Sequence, residues 1–314
     1  MAGVSLRGSM DNNYTKPALS FNQQAQRLIS RGLIVHDPGE LESYLSVVNY
    51  YRLSGYWYIY KQIDLITGEE KFKPGTSFDT IRNHYEFDRQ LRLLLMDAIE
   101  RIEVAVFRTQ LVEVNTIAYG PFGYTDKSNY NPNISDGEFH KLMSDIHEDE
   151  IRSYEEFIQR YRAKYIGEPH LPLWMVTELM SFGQLLTLYR KQHLAIKQKI
   201  SHKYNLFPMV LDSWLLVLNA VRNSCAHHNR IWNRPLPLKV RLPDRKYAPY
   251  WYTPVQIPDN RLFTVLTIIN HLLKFIAPTD HWQSSVLDLL NAYPAVPLRP
   301  MGIPNNWQEL PLWK

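Results

Sequence analysis

The amino-acid sequence predicts an all-α fold. Two regions, 78–114 and 208–228, repeat apolar residues at the three- and four-residue spacing of a helix that buries one face. Alternation of apolar and polar residues, the pattern of a half-buried strand, extends over only a few positions, and 238–256 is the one candidate for a short hairpin. Hydrophobic residues make up 45% of the chain and charged residues 21%, which is enough apolar material for a packed core.

The N-terminal part is predicted to begin with a disordered leader, residues 1–18, followed by two helices at 21–33 and 40–51. The next stretch, 49–58, is rich in aromatic side chains. Their density favours a packed helix turn, and the alternative is a surface on which nucleic-acid bases stack beside Arg52.

A long helix is predicted over 78–114, where the apolar residues fall within a narrow wedge of the helical wheel. Its many charged residues predict a solvated face. The alternative is that one carboxylate, Glu100 or Glu103, pairs with an arginine later in the chain. Further helices are predicted at 138–164, 171–180, 182–199, 208–228, 261–275 and 283–293. These elements predict one helical domain over 19–234 and a C-terminal helical extension over 235–314 that packs on the same domain.

Composition restricts the class of protein. Lysine and arginine exceed aspartate and glutamate by 35 to 31, a net charge of +4 that permits nucleic-acid binding without demanding it. Cys225 is the single cysteine, so the sequence predicts no internal disulfide and no cysteine zinc site, as in a reducing cytoplasm. No window approaches the roughly 20 apolar residues that span a bilayer, so no membrane partner is expected.

The segment 221–234, called the motif segment below, contains three arginines, three asparagines, two histidines and a tryptophan directly behind an apolar helix. Arginine is a permanently charged clamp for phosphate, and histidine titrates near neutrality as a general acid or base. RNA can be cut without metal or cofactor by these groups, because its own 2′-OH is the nucleophile. We therefore predict Arg222 and His227 as catalytic residues, with Asn223 orienting the histidine or the phosphate.

Other residues are predicted to support this chemistry. His228, Asn229 and Arg230 are candidates for substrate binding together with Arg52, and Glu100 or Glu103 for support of the arginine. Arg222 and His227 are about 140° apart around an ideal helix. Because one helix places the two groups awkwardly, the spacing favours a composite site built by a twofold-symmetric homodimer.

Three other interpretations of the motif segment compete with catalysis. His227 and His228 could bind a metal, although no acidic or cysteine partner lies nearby in the sequence. Cys225 as a nucleophile conflicts with its place on the apolar stripe of the helix. A structural Arg222 paired with Glu100 or Glu103 is also compatible with the spacing, which is easily matched by chance.

A resemblance to a known family adds to this interpretation. It rests on residues 31–33 (Arg-Gly-Leu), 49–56 (Asn-Tyr-Tyr-Arg-Leu-Ser-Gly-Tyr), 87–92 (Phe-Asp-Arg-Gln-Leu-Arg), 102–103 (Ile-Glu), 173–175 (Leu-Trp-Met), 181–183 (Ser-Phe-Gly), 222–233 and 301–307 (Met-Gly-Ile-Pro-Asn-Asn-Trp). With these segments in this order, the chain resembles the bacterial abortive-infection proteins of the AbiD/AbiF type (the Abi-2 family), members of the HEPN superfamily.

The resemblance implies a HEPN-type helical bundle with additional N- and C-terminal helices, acting as a dimeric ribonuclease in phage defence or in a toxin–antitoxin-like system. It implies Arg222 and His227 as the catalytic pair and Asn223 as the supporting polar residue. It also implies RNA as substrate and, for some relatives, a co-encoded small structured RNA as partner. Two competing functions stay open: a non-catalytic RNA-binding protein and a helical module that senses a phage protein.

Overall fold

The computed structural model describes residues 17–66 and 68–314, and it confirms the predicted all-α class. The predicted leader, 1–18, lies outside the described residues except for its last two. The chain divides into two compact units, of which the first ends at Tyr85 and the second runs from Glu86 to Lys314. In the described residues the only sheet is a two-stranded hairpin.

The first unit consists of short helices and this hairpin. Its elements are α1 (Phe21–Ser30), α2 (Pro38–Val48), α3 (Tyr50–Trp57), β1 (Lys61–Ile63), β2 (Glu70–Phe72) and the first turns of α4 (Phe78–Glu103). The strands pair antiparallel, with Gln62 opposite Lys71. Asn49, at a φ of 72°, separates α2 from α3 and caps α3 through its side chain, so the helix predicted over 40–51 is two helices.

The aromatic stretch 49–58 is mostly core in this unit. Tyr56 and Trp57 are buried, and Tyr50 meets Trp57 edge-on with ring centroids 5.0 Å apart. Tyr51 is exposed, and so is Arg52. The packed helix turn favoured by the sequence is therefore present, and the predicted role of Arg52 in binding stays a prediction.

The second unit continues α4 and adds nine further α-helices. They are α5 (Val112–Tyr119), α6 (Asp136–Arg152), α7 (Glu156–Lys164), α8 (Leu173–Leu179), α9 (Phe182–Lys191), α10 (Leu194–His202), α11 (Pro208–Ala226), α12 (Leu262–Ile276) and α13 (Trp282–Ala292). Two predicted helices are each a pair: 138–164 breaks between α6 and α7, and 182–199 breaks between α9 and α10.

A π-helical segment, Val104–Leu111, joins α4 to α5 without a break in the chain direction. In a π-helix the hydrogen bonds run from i to i+5, which aligns side chains five residues apart. Glu103 and Arg108 have this spacing, and Arg108 Nη2 lies 2.8 Å from Glu103 Oε1. Arg108 also donates to the backbone carbonyls of Thr177 and Met180, so the π-helical turn fixes the end of α8.

The charged face predicted for the long helix is only partly correct. Asp97 and Arg101 form an exposed pair, but Asp88 and Arg92 are buried, and Glu103 is largely covered. The predicted hairpin at 238–256 is wrong, because that segment is irregular apart from one 3₁₀ turn. Its prolines remove the backbone donors that a strand ladder needs.

The C-terminal extension packs on α11 within the second unit. Trp214 Nε1 donates to the carbonyl of Arg241 at 2.9 Å, and its ring lies 5.2 Å from Trp251 and 5.3 Å from His271. Burial lowers the pKa of His271, so its imidazole is held neutral in this aromatic cluster. The extension therefore supports the middle of the helix that carries the motif segment.

Candidate active site at the end of helix α11

Helix α11 positions the motif segment. It begins with Pro208 in its first turn, where the missing N–H has no helical partner to lose. Its predicted apolar stripe is confirmed as buried throughout. The stripe consists of Leu211, Trp214, Leu215, Leu218, Val221 and Cys225. This stripe fixes the rotation of the helix, so the polar residues of its last turns are directed away from the core.

The helix ends within two residues of the predicted position. Ala226 is its last residue and His227 is the C-cap, whose N–H donates to the carbonyl of Asn223 at 3.0 Å. His228 has a φ of 56°, the left-handed conformation that usually follows a helix end and is usually occupied by glycine. Asn229 N donates back to Ser224 O at 2.9 Å, which reverses the chain direction immediately after the histidines.

The candidate catalytic side chains lie at the surface of this helix end. Asn223 and His227 are exposed, and Arg222 is partly exposed. Arg222 Nη1 donates to Asn223 Oδ1 at 3.4 Å, so the structure brings these two predicted residues together. In the described residues Arg222 forms no ion pair, and the cation is available to an external anion.

A buried carboxylate holds the chain just beyond the histidines. Asp88 Oδ1 accepts the backbone N–H groups of Ile231 at 3.1 Å and Trp232 at 2.6 Å. Arg92, one turn along α4, forms an ion pair with Asp88 and also donates to the carbonyl of Asn229 at 3.4 Å. Both side chains are buried, so this pair fixes the motif segment to α4 from inside the protein.

The second half of the motif segment is therefore largely structural. Trp232 is fully buried, and its Nε1 donates to Pro297 O at 3.1 Å. Of the residues predicted to bind substrate, His228 and Asn229 are exposed, whereas Arg230 is half-buried and lines a small cavity of about 40 Å³ beside Pro235. Their role in binding stays a prediction.

The carboxylates predicted to support Arg222 have other surroundings. Glu103 pairs with Arg108 because the π-helical turn aligns the two, and Glu100 is exposed on α4. Neither forms an ion pair with Arg222 in the part of the chain that the structure describes. The alternative of a structural arginine held by one of these two carboxylates is not what the structure contains.

Cys225 and the paired histidines can be weighed in the same way. Burial raises the pKa of the Cys225 thiol to about 12, against a weaker opposing effect of Arg92, so the nucleophilic thiolate is disfavoured. Among residues 17–66 and 68–314, no group of three histidine, cysteine, aspartate or glutamate side chains is placed to hold a metal ion. No helix in that part of the chain is long and apolar enough to cross a membrane.

Sequence reasoning missed the roles of Asp88 and Arg92. The available signal was their position: with Leu91, Leu95 and Ile102 they recur at spacings of three and four on one side of α4. An acidic and a basic residue one turn apart on an apolar stripe are expected to be a buried pair, because burial of either charge alone is strongly unfavourable.

The fold and the site together define an all-α protein with an arginine, an asparagine and a histidine exposed at the end of a helix whose other face is buried. A family model described as Abi-like protein matches residues 43–233, from α2 to the end of the contacts made by Asp88. The chain belongs to the Abi-like protein family, and this membership indicates a role in abortive infection, a bacterial defence against phage. No curated protein matches the chain, and no solved structure does.

Proposed function

We propose that this protein is a metal-independent endoribonuclease of the HEPN type that acts in phage defence. Its active site is composite, with Arg222 and His227 of one cleft supplied by two copies of the chain. The observation that carries the proposal is the placement of Arg222, Asn223 and His227: they are accessible at one helix end, while the buried Asp88–Arg92 pair fixes the chain beyond them. Such support from a rigid interior is what a preorganised site requires.

The chemistry follows from these groups and from the RNA. The His227 imidazole accepts the proton of the 2′-OH, the 2′-oxygen forms a bond to phosphorus, and the bond from phosphorus to the 5′-oxygen breaks. The 5′-oxygen takes a proton from the imidazolium or from water. The Arg222 guanidinium stabilises the negative charge that accumulates on the phosphorane oxygens. The products are a 2′,3′-cyclic phosphate and a 5′-OH.

The proposal is tested by incubating purified protein with an end-labelled RNA in the presence of EDTA. His227→Ala is expected to lower the cleavage rate by about 10²–10⁴, because one general acid–base group is lost. A 2′-deoxy substitution at the cut nucleotide should abolish cleavage of that bond, since the nucleophile itself is removed.

The matched control is His202→Ala, which removes another exposed histidine near the end of a helix, α10, in the same unit. Its cleavage rate should stay within about twofold of the wild-type rate. Cleavage that survives in His227→Ala, or that needs the metal removed by EDTA, would contradict the proposal. If wild-type protein binds RNA and cuts none, the function is RNA binding without catalysis.

A further inference from the structure

A large open groove runs along one side of α11 in the second unit. Its volume is about 1370 Å³, and its walls come from α9, α10, α11 and residues 239–241. Pockets for small molecules have volumes of roughly 300–1,000 Å³. The dimensions of the groove are therefore better matched to part of a polymer than to a metabolite.

The groove carries an excess of positive charge. Its lining contains five cationic side chains and two carboxylates. Each carboxylate is already paired with a groove cation: Glu138 with Lys191 at 2.6 Å, and Asp212 with Arg190 at 3.1 Å. Lys197, Lys239 and Arg241 remain without a carboxylate of the groove as partner, and Lys239 is only 3.8 Å from the nearest one outside it, that of Asp259.

The groove leads to the candidate active site along a single helix face. Asp212, Leu216 and Asn219 line it, with spacings of four and three residues. The same series continues to Asn223 and His227, four and eight residues beyond Asn219. At about 1.5 Å per residue, the distance along the axis from Asp212 to Asn223 is about 16 Å.

An aromatic pair lies at the opposite end of the groove. Phe207 lines it at the start of α11 and is about half exposed. Its ring meets that of Tyr247 edge-on, with centroids 5.7 Å apart, and Lys246 Nζ lies 5.5 Å from the tyrosine ring. Exposed aromatic rings beside cations are the arrangement on which unpaired bases stack.

We propose that this groove binds the single-stranded substrate RNA, with phosphates at Lys197, Lys239 and Arg241 and a base on the Phe207–Tyr247 pair, and directs the strand along α11 to the motif segment. The inference rests on the proposed function, because the motif segment is the reaction centre. A duplex is disfavoured because its bases are already stacked on each other and hidden from the aromatic pair.

A second copy of this chain fits the groove less well than RNA does. A twofold interface places the same patch of each copy against the other. Two grooves that each carry three excess positive charges would repel one another there. The phosphate backbone of RNA instead neutralises these charges and releases bound counterions, which favours association.

The test is a charge-reversal double variant, Lys197→Glu with Arg241→Glu, made in the His227→Ala background so that RNA is bound but not cut. Binding of a labelled single-stranded RNA oligonucleotide is followed by fluorescence anisotropy at several salt concentrations. We expect the affinity to fall by about tenfold or more, and the slope of log affinity against log salt to decrease by about 1.4, since each lost phosphate contact with a single strand removes about 0.7.

The matched control is Lys199→Glu with Lys141→Glu. These lysines are exposed on α10 and α6, helices that border the groove, but neither lines it, and the change in net charge is the same. Its affinity should stay within about threefold of the parent protein. Tyr247→Ala provides a second variant without any charge change and should weaken binding by about tenfold, the loss of one stacked base.

The outcomes separate this inference from the proposed function. If both double variants lose equal affinity, or if the groove variant with His227 intact cleaves RNA at the wild-type rate, the groove inference is wrong while the nuclease proposal stands. If wild-type protein binds RNA through the groove and cuts none, the nuclease proposal is wrong and the groove remains an RNA site. If light scattering shows that charge reversal in the groove turns a dimer into a monomer, the groove is an interface between copies and the inference is overturned.

Discussion

At the scale of single residues, the carboxylate of Asp88 determines where the motif segment lies. It accepts two backbone N–H groups and a guanidinium, so its lone pairs are satisfied although it is inaccessible to water. The partners are distant in sequence, since Ile231 is 143 residues away. The pair thereby connects the middle of α4 to the loop that follows His227.

Asp88→Asn is expected to lower the free energy of unfolding by about 3–5 kcal/mol, because Arg92 remains buried without its counter-ion. Urea unfolding followed by circular dichroism measures the change. The matched control is Asp97→Asn, which breaks a pair of the same spacing on the same helix. There both side chains are partly exposed and Arg101 keeps Asp280 as a partner, so the loss should be below about 1 kcal/mol. Equal losses in the two variants would contradict the role assigned to Asp88.

At the scale of elements, the sequence was sufficient where one helix buries one face. The stripe from Leu211 to Cys225 repeats at helical spacing, and the structure confirms all of its members as buried. The helices at 261–275 and 283–293 were predicted to within one or two residues for the same reason. Periodicity alone also places Arg222, Asn223 and His227 off the core face, which is where they are found.

The sequence was insufficient where a partner lies far along the chain or where local hydrogen bonding changes. Arg92 was assigned to a solvated face because periodicity carries no information about Asn229, 137 residues later. The π-helical turn at 104–111 has no simple composition signal, yet it decides that Glu103 faces Arg108. The break between α6 and α7 is marked only by Ser153, which is an ordinary helix residue in other contexts.

The contact between α6 and α9 predicts a pH dependence of stability. Lys191, followed by the backbone and hydroxyl of Ser135, lowers the pKa of Glu138 from 4.5 to about 2. A carboxyl whose pKa is depressed in the folded state stabilises the protein above its unfolded pKa, and this contribution is lost as the pH falls from about 4.5 to about 2. Glu138→Gln should therefore be less stable than wild type at pH 6, and the difference should shrink as the pH approaches 2.

Urea unfolding at a series of pH values checks this expectation. Glu148→Gln is the control, because Glu148 is an exposed carboxylate on the same helix that pairs only with Arg152, four residues along, at 3.0 Å in the described residues. Its difference from wild type should be small at every pH. A Glu138→Gln difference that stays constant between pH 6 and pH 2 would show that the hydrogen bonds of Glu138 are not the source of the effect.

At the scale of the whole molecule, the geometry of α11 bears on how many chains form one site. Arg222 and His227 are five residues apart, which corresponds to about 140° around the helix. Arg222 Nη1 donates to Asn223 rather than to His227. A twofold axis near the end of α11 would place the arginine of one chain opposite the histidine of the other, and each dimer would then contain two equivalent sites.

Mixing two inactive variants tests this arrangement. Arg222→Ala and His227→Ala chains, combined in equal amounts and allowed to exchange, should give about half mixed dimers. Each mixed dimer has one site with both wild-type groups and one site with neither, so the mixture should recover about a quarter of the wild-type cleavage rate. The control replaces the Arg222→Ala chain with a chain carrying both substitutions, which cannot complete any site and should restore nothing. If native mass spectrometry shows mixed dimers and the first mixture still cuts no RNA, arginine and histidine do not come from different chains. A protein that light scattering finds strictly monomeric, yet active, would exclude the composite site altogether, because each chain would then supply both groups to its own RNA.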